Sequence, residues 1–277
     1  SGEEDREQAA EEGRRASHGA RLLEVGNRRG IIPAGVIMFS AVMLLLAAAD
    51  TLLLAWTVQQ WRELRHPVLG VLAFLILALP YDTALVGAGR WIGPGELLAA
   101  LSGPRFMLFA ASVPLILVIL AYLARLAAFR WAGPRWFVGG VCLLALAFLA
   151  LSWREILFFP ELHPACWADT LRYVPSVIPG QVCTPGQAGV GAPVALPVSA
   201  VLALPGMVLL GAALWRWRRW PWLFAGSLAG LAFLGLPPSR VGPIPGFFGD
   251  ALNMLALVAT AVHFLRGAHA FPARKSP

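Results

Sequence analysis

Acids and arginines stand in this chain where the sequence around them is otherwise apolar. Asp82 follows Pro80 and Tyr81 inside a long hydrophobic run. Arg154 and Glu155 follow Trp153 near the end of another. Asp250, Asn253, Thr260 and His263 punctuate a third. A charge exposed to hydrocarbon costs at least a few kcal/mol, so such groups face a bundle interior or water. Two carboxylates at similar depth can share a proton, which makes one an acid and the other a base. The chemistry these residues suggest is therefore proton transfer. Asp82, Glu155 and Asp250 are the candidate catalytic groups. Tyr81, Arg90, Arg105, Trp153, Arg154 and Asn253 are the candidates for holding a substrate.

Each candidate also has a structural reading. Asp82 can lock two helices through Arg90 or Arg154. Arg154 and Glu155, about 100° apart on a helix, can form a neutralised ion-pair network. Asp250 follows Gly249 and can cap the helix it opens. Asn253 and Thr260 fall within about 80° of Asp250 on a helical wheel and can serve as interhelical glue. Asp50, alone in the first run, is expected to pair with a basic group such as Arg125.

The elements that must position these residues are membrane helices. Of the 277 residues, 58% are hydrophobic and 13% charged, about half the charge of a soluble domain. Lipid must be the solvent for much of that surface. Seven apolar runs approach the length needed to cross about 30 Å of hydrocarbon. They begin near Pro33, Pro67, Phe106, Trp136, Val194, Trp220 and Asp250, and end near Val58, Ala88, Phe129, Phe159, Trp215, Leu236 and Leu265. The expected fold is an all-α integral membrane protein, a single bundle of about seven transmembrane helices over residues 31–269. Residues 1–30 read as a polar tail with no apolar h-region, and 270–277 as a C-terminal tail. The Gly- and Pro-rich stretch from Tyr81 to Phe106 reads as a broken, charged connection forming the lip of a cavity.

Charge orients the bundle. The odd-to-even turns carry Arg62, Arg65, Arg125, Arg130, Arg135, Arg216, Arg218 and Arg219, against the single acid Glu63. The positive-inside rule then puts the C-terminus in the cytoplasm and the N-terminus outside the cell membrane, with Arg28 and Arg29 opposing. The long loop 160–193 is then extracytoplasmic. Its Cys166 and Cys183 either form a disulfide or remain free thiols.

Several activities lack their residues. The net charge of +7 lies in short loops rather than on a phosphate-tracking face, so no nucleic-acid partner is expected. The only lysine is Lys275, outside every run, which leaves no intramembrane Schiff base. No HExxH, P-loop or paired-histidine pattern occurs, and neither a metal nor a cofactor is expected. In size, helix number and scattered acids the chain resembles integral-membrane terpene cyclases, and no string of residues identifies a family. Two functions lead. One is an enzyme or binder acting on a lipophilic small molecule through an outer-leaflet pocket of carboxylates and arginines, by isomerase- or cyclase-like acid–base chemistry. The other is a non-catalytic subunit of a larger membrane complex. A small-solute transporter ranks third, because no internal repeat is evident. The expected partners are membrane lipids and either a lipophilic molecule or other membrane subunits.

Overall fold

The computed structural model describes residues 38–157, 162–167, 169–175, 198–236 and 244–270. The polar tail 1–30, residues 176–197 with Cys183, Arg240 and residues 271–277 lie outside them, as do the side chains of Arg154 and Glu155.

Among the described residues the chain forms seven α-helices, a short 3-10 turn at Arg130–Ala132 and one β-hairpin. The helices are α1 (Met38–Leu64), α2 (Pro67–Ile92), α3 (Glu96–Leu126), α4 (Arg135–Leu157), α5 (Val198–Arg218), α6 (Trp222–Leu234) and α7 (Ile244–Ala270). The hairpin pairs β1 (His163–Trp167) with β2 (Thr170–Val174), antiparallel, in the register Ala165 opposite Arg172 and Cys166 opposite Leu171. Five helices, α1, α2, α3, α4 and α7, are long and apolar enough to cross a membrane. The shorter α6, with 13 residues, spans about 20 Å.

The connections identify the two ends of the bundle. At one end Arg266 of α7 donates to Gln60 of α1 (2.8 Å), and Arg218 of α5 donates to the Ala128 carbonyl beyond α3 (3.3 Å). Trp220 donates to Thr260 (2.9 Å) and stacks on His263. The arginine-rich turns therefore share one face with the end of α7. Arg65, Ala128 and Arg219 adopt left-handed backbone conformations there, each just past a helix end. Trp61, Trp131, Trp136, Trp215, Trp217 and Trp222 stand exposed around that rim, where amphipathic rings mark a membrane–water boundary. The hairpin occupies the opposite end.

The expected break between Tyr81 and Phe106 is much smaller than its glycines and prolines imply. α2 runs unbroken through Pro80 to Ile92, and α3 starts at Glu96, carrying Pro104 and Pro114 inside it. Only 93–95 leave the helix, at Gly93, whose φ of +81° suits glycine alone. Packed neighbouring helices tolerate the backbone groups a proline frees. Arg105 is consequently a helix-interior residue, not a loop charge.

The main core joins α2, α3, α5, α6 and α7 through Leu69, Leu72, Ile76, Leu123, Met207, Leu223 and Leu257. α7 packs against α1, α2, α3 and α6, which places it centrally. Its approach to α6 is set by small residues. A Cβ added at Gly226 would lie 2.5 Å from the Ala256 Cβ, and one at Gly230 would lie 2.5 Å from Asn253 Oδ1. Gly226 and Gly230 are four residues apart, the spacing that lets two membrane helices meet backbone to backbone.

Candidate functional site

The site is assembled around Asp82. A helix rises about 1.5 Å per residue, which puts Asp82 about 15 Å below the hairpin-side end of α2. Arg105 lies at a similar depth on α3, about 14 Å from its start. Arg105 Nε and Asp82 Oδ1 form an ion pair at 2.8 Å. The arginine is 8% exposed, and its guanidinium covers the Phe106 ring at 4.7 Å. Among the described residues the partner of Asp82 is thus Arg105 and not Arg90, which pairs with Asp169. Only the recognition that α3 begins at Glu96 brings the two to one level.

Two more carboxylates come from neighbouring helices. Asp250, on α7, lies within electrostatic reach of Asp82 and Asp50. Asp50, on α1, is 1% exposed, and its Oδ2 lies 3.2 Å from Thr83 Oγ1. That hydroxyl also donates to the Leu79 carbonyl at 2.8 Å, so one hydrogen serves two acceptors. Asp50 therefore faces α2 at mid-helix rather than pairing with Arg125. Asp250 is not a cap: α7 opens at Ile244, and Asp250 sits in its second turn. One turn further, Asn253 is 2% exposed, and neither its Oδ1 nor its Nδ2 has a hydrogen-bond partner among the described residues.

The hairpin closes this end. Leu171, Tyr173 and Cys166 pack with Leu85 and Leu98 in a second apolar cluster on α2 and α3. A Cβ at Gly89 would overlap the Leu171 carbonyl, so α2 meets the hairpin on bare backbone. Tyr173 accepts a hydrogen bond from the Gly95 N–H at 3.0 Å, fixing the hairpin to the α2–α3 connection. Asp169 anchors the hairpin turn. Its carboxylate pairs with Arg90 Nη1 at 2.9 Å and accepts from the Ser40 N–H at 3.2 Å. The Ser40 hydroxyl donates to the Asp169 carbonyl at 3.2 Å. Asp169 so supplies the anion that the first turn of α1 favours.

Arg172 projects from β2 into the same region. It lies within electrostatic reach of Arg105 and Asp82. Burial, and to a smaller extent the nearby Arg105, push its guanidinium down to about 10 against the opposing pull of Asp82. It remains charged at neutral pH.

The predicted residues therefore separate. Asp82 pairs with Arg105, and Asp250 lies within electrostatic reach of Asp82, with Asn253 on the same helix as Asp250. Arg90 belongs instead to the hairpin anchor. The Tyr81 hydroxyl donates to the Leu101 carbonyl at 2.7 Å and ties α2 to α3. Trp153 is 45% exposed on α4, whose main neighbour is α3. Arg154 and Glu155 follow it, with side chains outside the described residues. Asp169 and Arg172 were not singled out from the sequence. The β-branched and aromatic run of Thr170–Val174 was the available signal for the strand that carries Arg172. Among the described residues no three His, Cys, Asp or Glu side chains stand close enough to hold a metal ion.

Comparison with known proteins finds no matching family model and no curated protein of significant similarity.

Proposed function

We propose that this chain is a seven-span protein of the cell membrane that binds a lipophilic small molecule beneath the hairpin and acts on it by acid–base chemistry. The observation that carries this reading is that Asp82, Asp250 and Asp50, from three helices, lie within electrostatic reach of one another, with Arg105 paired to Asp82. A bundle needs no such cluster for stability, since apolar side chains of like volume hold helices as well or better. Asp250, with no ion pair among the described residues, is the group free to give or take a proton. Asp82, held by Arg105, is the complementary carboxylate. The arginine-rich face supports a cytoplasmic C-terminus and an outer hairpin. In that compartment Cys166 and Cys183 form a disulfide that closes the loop behind the hairpin, while Cys142 stays free on α4.

The test is extraction of the protein purified in mild detergent, followed by mass spectrometry of the extract. A lipophile in stoichiometric amount is expected, and Asp250→Asn should convert it about 100-fold more slowly with the fold intact, the usual contribution of a placed acid or base. A stoichiometric partner chain without a lipophile would instead establish the accessory-subunit reading.

A further inference from the structure

Arg105 carries more hydrogen-bonding capacity than its neighbours use. Its Nε edge is committed to Asp82, while Nη1 is buried and has no hydrogen-bond partner among the described residues. A buried guanidinium hydrogen left unpaired is costly, and more so than a neutral donor. Arg172 brings a second guanidinium within electrostatic reach, and it makes no ion pair among the described residues. The two guanidiniums repel one another, and the carboxylate that pairs with Arg105 Nε leaves Nη1 without an acceptor among the described residues. The hairpin nevertheless holds Arg172 there, through Leu171 and Tyr173 on either side of it. An anion between the two guanidiniums would remove the repulsion and satisfy Nη1. Guanidinium forks match the oxygen geometry of phosphate.

We infer that Arg105 and Arg172 form a phosphate-recognition site at the hairpin end of the bundle, and that the lipophilic molecule bound there carries a phosphorylated head group. This rests on the reading of the site as a lipophile-binding one. It gives strand β2 a task, since Arg172 is the charge that this strand brings within electrostatic reach of Arg105 and Asp82. It also divides labour within the site, with the arginines holding the head group and Asp250 left to move a proton.

The experiment uses the full chain in nanodiscs and counts retained lipid by native mass spectrometry. The probes are phosphatidic acid, diacylglycerol with the same acyl chains, and inorganic phosphate as competitor. Phosphatidic acid should be retained at least tenfold better than diacylglycerol. Arg172→Gln should erase that preference, and Arg172→Lys should restore only part of it, because an ammonium keeps the charge without the fork. Competition by millimolar inorganic phosphate would support the site and identify its ligand as the free anion. Equal retention of the two lipids by the wild-type chain would overturn the phosphate site and leave lipophile binding standing. Retention of neither lipid, with no lipophile in the purified protein, would overturn both. The wild-type comparison holds even if Arg172→Gln fails to fold.

Discussion

Asp82→Ala is expected to destabilise the folded chain by about 3–5 kcal/mol, and the double change Asp82→Ala/Arg105→Met to recover most of that loss. The argument is one of uncompensated charge. Arg105 is 8% exposed, its Nε pairs with Asp82 at 2.8 Å, and Nη1 has no acceptor among the described residues. Removing the carboxylate strands the guanidinium in a medium that cannot solvate it. Removing both charges leaves a methionine of similar length in an apolar setting, which costs little. The single and double changes should therefore be strongly non-additive, as contacting groups are. Reversible unfolding in mixed micelles measures it. A loss below about 0.5 kcal/mol for Asp82→Ala, the size of an ordinary surface change, would show that Arg105 is not buried as described.

Asp169→Ala is expected to cost about 3 kcal/mol and, more tellingly, to release the hairpin alone. One carboxylate holds two elements: Arg90 at the end of α2 and the N-terminal turn of α1 through Ser40. Its side chain is 1% exposed, so its loss leaves Arg90 and the Ser40 N–H unpaired in a largely dry place. The core of α5, α6 and α7 shares none of these bonds. Hydrogen exchange should accelerate in His163–Val174 and at the start of α1, while α7 keeps its protection. Uniform acceleration across all helices would mean that the hairpin is not a separate unit of stability.

Much of the architecture is legible in hydrophobic run length, which is a one-dimensional signal. All seven runs correspond to helices, and five of those helices have the length and composition of membrane spans. Helix ends are less legible, because packing decides them. Pro104 reads as a breaker by local propensity, yet α3 passes through it between neighbouring helices. That one misreading hides the depth of Arg105, and with it the partner of Asp82. The polar stripe on α7 is legible in spacing, but its members separate by partner: Thr260 and His263 serve Trp220 at the basic end, and Asp250 joins the acids. The roles of Asp169 and Arg172 depend on a twelve-residue hairpin whose docking no periodicity encodes.

The central claim is that carboxylates from different helices converge beneath the hairpin, and chemical cross-linking tests it most directly. Cysteines replace Asp82 and Asp250 in a chain whose free Cys142 is changed to serine, and a bifunctional thiol reagent of about 10 Å, one helix-packing distance, is added. The Asp50 and Thr83 positions, whose side chains meet at 3.2 Å, provide the control pair. Cross-linking of 82 to 250 at a rate comparable to the control is the predicted result. A reactive control with no 82–250 product, both thiols remaining free to label, would contradict the shared site.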